Sequence, residues 1–138
     1  MTQAKRWTHS NKSVFNIGYH LIWCVKYRKP VLVGDTEKRL KELILLKGQD
    51  IGITVVSLEV MPEHLHIFIK ASPVDSPHYI VQQLKGYTSK LMRQEFKELR
   101  TRIPSLWTRS YYCESVGHIS ENAVKRYIEE QKTNDFNI

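Results

Sequence analysis

The architecture is read from one stretch: Ile53-Thr54-Val55-Val56-Ser57-Leu58-Glu59-Val60-Met61-Pro62-Glu63-His64-Leu65-His66-Ile67-Phe68-Ile69-Lys70-Ala71. Ile53–Val60 and His64–Ala71 are rich in β-branched and aromatic residues, as strands are. The tight Met61-Pro62-Glu63 link joins them as an antiparallel pair. Side chains alternate along a strand, so Leu65, Ile67 and Ile69 share one face and His64 and His66 the other. The apolar set predicts a helix-covered core on its side. The two imidazoles then leave the sheet together on the uncovered face.

Upstream, about Asn16 to Lys26 reads as another strand, punctuated by Arg28-Lys29-Pro30 and Gly34-Asp35-Thr36. With Asp35 or Thr36 as N-cap, Leu40, Leu43, Ile44 and Leu46 give helical spacing to about Gly48. Downstream, Ser76-Pro77 is an N-cap followed by proline at the first helical position. Ile80, Leu84, Tyr87, Leu91 and Met92 continue that helix past Phe96, until Ile103-Pro104 breaks it. Ser110–Val116 reads as a fourth strand. Gly117 turns the chain, Ser120 caps, and Val124, Tyr127, Ile128 and Gln131 line a last helix. The order is that of an α+β, ferredoxin-like βαββαβ sandwich, a four-stranded antiparallel sheet with helices on one face. A C-terminal helix carrying Tyr127 is added. Without repeats, low-complexity tracts or a linker, residues 1–138 are expected to form a single domain.

The composition narrows the partners. Lys and Arg exceed Asp and Glu by 21 to 14, a net charge of +7 that suits a phosphate-bearing ligand. The excess is concentrated between Lys85 and Arg102, where Lys85, Lys90, Arg93, Lys97, Arg100 and Arg102 face only Glu95 and Glu98. Tyr87 and Phe96 are interleaved with this basic stripe. No stretch approaches the roughly 18–20 apolar residues of a membrane span, and no apolar run follows the basic start. Cys24 and Cys113 lack CxxC spacing, so both are read as reduced and the chain as cytoplasmic.

Two features bear on chemistry. His64 and His66 are placed to share a cation, though two imidazoles need further ligands and an H-x-H also arises by chance. Tyr127 and Gln131 stand one helical turn apart on one face. A helix tyrosine is more often a core residue. Near a divalent ion, however, a phenol becomes a workable nucleophile toward a phosphodiester, and Gln131 offers a neutral oxygen ligand beside it.

Further pieces join these two: Tyr19-His20-Leu21-Ile22-Trp23-Cys24-Val25-Lys26-Tyr27-Arg28, Met61-Pro62-Glu63-His64-Leu65-His66, Leu84-Lys85-Gly86, Leu106-Trp107, Ser115-Val116-Gly117 and Val124-Lys125-Arg126-Tyr127-Ile128-Glu129-Glu130-Gln131. In this order, from about Val14 to Gln131, the chain resembles the single-tyrosine HUH transposases of small bacterial and archaeal insertion sequences. HUH denotes His, a bulky hydrophobic residue, His. The resemblance implies Tyr127 as catalytic nucleophile and His64, His66 and Gln131 as metal ligands. It implies cleavage and rejoining of single-stranded DNA at insertion-sequence ends through a 5′-phosphotyrosine intermediate, with subterminal hairpins recognised by shape. A homodimer is implied, in which the tyrosine helix of one subunit can complete the site of the other.

Other expectations follow. The metal is Mg²⁺ or Mn²⁺, since phosphoryl chemistry favours hard ions and imidazole suits manganese better, and no further small-molecule cofactor is needed. Glu63, where this family often has Asp, is a candidate site carboxylate. Lys85, Lys90, Arg93 and Lys97 are candidate DNA contacts. Gly117, before the last helix, is a candidate hinge. His20, His78 and His118 have no partner at ligand spacing and are expected to be structural or solvent-facing. The competing readings are a domesticated relative or replication-initiator-like HUH endonuclease, which keeps the Tyr127 chemistry, and a non-catalytic nucleic-acid-binding module.

Overall fold

The computed structural model describes residues 8–9, 14–116 and 129. A two-stranded ladder of β1 (Thr8–His9) and β2 (Val14–Phe15) precedes the main sheet. There follow β3 (Ile17–Cys24), a single turn at Lys26–Arg28, α1 (Asp35–Ile51), β4 (Thr54–Met61) and β5 (His64–Ala71). Then come α2 (Pro77–Glu95), the short α3 (Lys97–Thr101) and β6 (Tyr112–Val116). The sheet order is β4-β5-β3-β6 with every neighbouring pair antiparallel, as the ferredoxin-like reading requires. Met61 pairs with His64, so Pro62 and Glu63 alone make the turn. β5 is therefore an interior strand, and its histidines are held by partners on both sides.

Alternation works as expected on the core side. Leu65, Ile67 and Ile69 of β5 and Leu21 and Trp23 of β3 pack in one cluster with Leu40, Leu43 and Ile44 of α1 and Ile80, Val81, Leu84 and Met92 of α2. Arg39 of α1 makes a two-pronged pair with Glu95 of α2, at 2.8 and 3.1 Å. Trp107 and Leu106, both buried, close one end of this core. The backbone of Trp107 bridges to Val25, and its indole N–H donates to the buried Thr88 hydroxyl at 3.0 Å. Thr88 in turn donates to the carbonyl of Leu84 one helical turn earlier, at 2.7 Å.

Several boundaries differ from expectation. The first helix is capped by Gly34, not by Asp35 or Thr36, because the cap has φ 59° and ψ −130°, a conformation open to glycine. Asp35 instead sits in the first turn, where its charge meets the positive end of the helix. The helix passes Gly48 and ends at Gly52, whose left-handed φ of 83° lets its N–H reach back to Gln49 and Gly48. Leu46, expected on the apolar face, is 52% exposed, because the core contacts of α1 are met by Leu40, Leu43 and Ile44. The second helix stops at Glu95: Phe96 is extended, and α3 restarts beyond it. Ser76 caps α2 as expected, its hydroxyl accepting from Tyr79 N–H at 3.0 Å. The fourth strand begins at Tyr112 rather than Ser110, since the carbonyls of Thr108 and Ser110 are taken by the Lys85 ammonium. Among the described residues, no helix is long and apolar enough to cross a membrane.

Candidate active site

His64 and His66 emerge from β5 on the side away from α1 and α2. Their rings lie nearly parallel, 17° between planes, with centroids 6.0 Å apart. His64 faces Cys24 of β3 and Met61 of β4, while His66 faces Ile22 and Glu59. This side of the sheet is less open than alternation alone suggests. His66 is only 3% exposed, and Ile22 and Phe68 beside it are buried, so His64 is the more accessible ring.

Glu63 lies against the first of these histidines. Its Oε1 lies 3.1 Å from Nδ1 of His64. With the proton on Nδ1 the imidazole donates to the carboxylate, which leaves Nε2 with its lone pair outward. The Glu63 carboxyl is held below the usual carboxylate range by its own backbone amide first, then by the His64 hydrogen bond and the charges of His64 and Arg28. An ionised acceptor on Nδ1 fixes the tautomer and ring orientation of His64.

One neighbour escaped the sequence reading. His20 is fully buried and stands edge-on to His66, centroids 5.6 Å apart and planes at 61°. It is buried rather than solvent-facing, and spacing along the chain gave no hint that it would meet the histidine pair. The signal was the alternation of β3, which places His20, Ile22 and Cys24 on one face; only the β3–β5 pairing puts that face beside His66. Burial lowers the pKa of His20, opposed by the charge of Glu114, its cross-strand partner on β6. His78, on α2, is instead 3.0 Å from the hydroxyl of Tyr111. Among the described residues no group of three or more His, Cys, Asp or Glu side chains is arranged to hold a metal ion. As neutral nitrogen donors on one face of β5 the two imidazoles suit a cation by their chemistry, and call for further ligands. The expected nucleophile Tyr127, the expected ligand Gln131, the hinge Gly117 and His118 all lie outside the described residues.

The basic stripe divides. Lys85 is half-buried and its ammonium donates to the carbonyl of Thr108 at 2.6 Å and to that of Ser110 at 3.4 Å. Arg93 donates to the carbonyls of Leu99 and Ile103, both at 2.8 Å, and Arg100 donates back to those of Arg93 and Gln94. These cations tie the segment after α2 to the helix. Lys90 and Lys97 are exposed. The stripe belongs to the helical layer, and the histidines to the other side of the sheet.

Family comparison gives this frame its class. The family model described as "Transposase IS200 like" matches residues 13–131, and the chain belongs to that family. It is 35% identical over 120 residues to the ISDra2 transposase TnpA of Deinococcus radiodurans, an alignment covering 86% of each chain. It is 23% identical over 123 residues to the transposase for insertion sequence element IS200 of Salmonella typhimurium, covering 86% of this chain and 81% of that one. Among solved structures, a Deinococcus radiodurans protein assigned as a transposase superposes with a TM-score of 0.70 at 30% identity, covering 95% of this chain and 98% of that one. A REP-associated tyrosine transposase bound to a REP hairpin superposes with a TM-score of 0.60, covering 97% of this chain and 75% of that one. At 13% identity this last likeness speaks for the fold.

Proposed function

We infer that this transposase, a single domain over residues 1–138, cleaves and rejoins single-stranded DNA at the ends of an insertion sequence, with Tyr127 as nucleophile. The observation that carries the reading is the parallel His64–His66 pair, with Glu63 holding Nδ1 of His64, in a chain of the IS200-like family. His64 and His66 hold a divalent cation, Mg²⁺ or Mn²⁺, and Gln131 adds an oxygen ligand. Bound there, such an ion polarises the scissile phosphate and offsets charge on the departing oxygen.

The rest is done by the chain. The Tyr127 oxygen attacks phosphorus and gives up its proton. The bond from phosphorus to the 3′ oxygen breaks, that oxygen takes a proton and leaves as a 3′-hydroxyl, and a 5′-phosphotyrosine remains. Attack by a 3′-hydroxyl on the phosphotyrosine reverses the exchange, joins strands and frees Tyr127. One phosphodiester bond is exchanged for another, so no high-energy cofactor is needed. Hairpin recognition is extended to this chain from the hairpin-bound tyrosine transposase that shares its fold. The working unit is a homodimer.

The test uses single-stranded oligonucleotides from the DNA flanking the gene, incubated with the wild-type chain or Tyr127→Phe in Mn²⁺ or EDTA. A covalent adduct on a denaturing gel, requiring both Tyr127 and the metal, is expected. Hairpin strands that bind while no adduct forms in any divalent metal would remove Tyr127 from its catalytic role.

A further inference from the structure

The segment after β3 is strained where the core does not require it. Tyr27 has φ 60° and ψ 15° and Arg28 has φ 52°, two successive side-chain-bearing residues in the left-handed region. Such conformations carry a steric cost for residues other than glycine and persist only when the surroundings impose them. Here they do. Val25 N–H donates to the carbonyl of Glu63 at 2.9 Å, Lys26 N–H to Leu106 at 2.8 Å, and Leu32 N–H to Pro62 at 2.9 Å. The loop is pinned on both sides to the turn that leads into His64.

Packing does not account for the side chain so placed. Tyr27 is 66% exposed, with the Lys26 ammonium 5.5 Å from its ring centroid. Arg28 lines a cleft of about 260 Å³ with Ile22, Cys24, Thr108, Tyr111 and Tyr112. Cys24, on its wall, is the direct cross-strand partner of His64. An exposed aromatic on a segment whose backbone is pinned to the turn before His64, flanked in sequence by Lys26, Arg28 and Lys29, matches the chemistry of an unpaired nucleotide. The base stacks on the ring and the phosphates meet the cations. A duplex, with its base faces covered, does not fit.

We propose that Tyr27 and Arg28 form a nucleotide subsite that seats single-stranded DNA beside His64 and His66. A base flanking the scissile phosphate stacks on Tyr27, and its phosphate is held by Arg28 at the mouth of the cleft. The subsite rests on the functional reading above and adds to it the residues that receive the strand.

The experiment is fluorescence anisotropy of a labelled oligodeoxythymidine strand, which forms no hairpin, with thermal melting of each variant. Tyr27→Gly relieves the left-handed strain, so it melts at or above the wild-type temperature while binding the strand about tenfold more weakly. Tyr27→Asn, which tolerates the same backbone, behaves likewise, and Tyr27→Phe keeps wild-type affinity. Arg28→Gly flattens the salt dependence by about 0.7 in log–log slope, as expected for one lost phosphate contact, whereas Tyr27→Gly leaves the slope alone. Wild-type affinity in Tyr27→Gly and Tyr27→Asn overturns the subsite and leaves the functional reading intact. A wild-type chain that binds neither this strand nor hairpin strands from the gene's flanks overturns both.

Discussion

The carboxylate of Glu63 and the imidazole of His64 are locked together at 3.1 Å although they are adjacent in sequence. Successive residues of a strand point to opposite faces, but Glu63 occupies the Pro62-Glu63 turn rather than β5, and the turn brings its side chain back to the histidine's side. If this contact orients His64, Glu63→Ala weakens Mn²⁺ binding by about 10–100-fold in titration calorimetry. Urea unfolding of the metal-free variant shifts by less than about 1 kcal/mol, because a partly exposed pair adds little stability. Equal Mn²⁺ affinity in wild type and Glu63→Ala reduces the contact to a surface pair.

Trp107 and Thr88 form a buried polar pair whose loss is asymmetric. Thr88→Val leaves the indole N–H of Trp107 without its acceptor in the core and is expected to cost about 1–3 kcal/mol. Trp107→Phe in the Thr88→Val background removes that unsatisfied donor, so the double variant loses less than the two single changes added together. A double-mutant cycle by denaturant unfolding checks this, and strict additivity speaks against the pairing.

Two glycines respond in opposite directions to alanine. Gly52→Ala forces a side chain into φ 83° and is expected to destabilise by about 1–2 kcal/mol. Gly86, in the interior of α2, has open space where a Cβ would stand, so Gly86→Ala is expected to stabilise by about 0.5–1 kcal/mol. Melting curves for both variants decide it. A Gly86→Ala protein that melts higher but no longer binds DNA shows that this exposed glycine serves a ligand.

Lys85 makes stability depend on alkaline pH. Burial lowers its pKa below 10.5, so between the folded value and 10.5 the unfolded chain binds more protons than the folded one. Stability then rises with pH across that window and falls again as pH drops through the folded value. The stability of wild type relative to Lys85→Met should increase as pH approaches 10.5. A flat difference indicates that the Lys85 ammonium, held by the carbonyls of Thr108 and Ser110, titrates alike in both states.

Much of the frame was legible because it is governed by local rules. β-Branched runs, the short Met61-Pro62-Glu63 link and the Ser76-Pro77 cap act within a few residues, and each appears where periodicity and turn chemistry place it. The boundaries that moved did so where backbone angles decided: Gly34 and Gly52 cap α1 because only their conformations close it. The DNA-contact reading of Lys85 and Arg93 met a competing use. A run of cations looks alike whether it faces phosphate or carbonyl oxygen, and here both residues hold carbonyls of the following segment.

By itself the sequence determined the order of the four sheet strands and the two helices packed on them, the apolar face of β5 and the shared direction of His64 and His66, since all three follow from period and spacing. The tertiary structure decided what comes from elsewhere to meet them. His20 reaches His66 through the pairing of β3 with β5, a relation between residues 46 positions apart. Arg28 and the strained Tyr27 come beside the histidine turn because backbone bonds from Val25 to Glu63 and from Leu32 to Pro62 draw two separate segments together. Periodicity is a property of neighbours along the chain. Which faces and loops share a site is settled by register and by long-range hydrogen bonds, which no local pattern encodes.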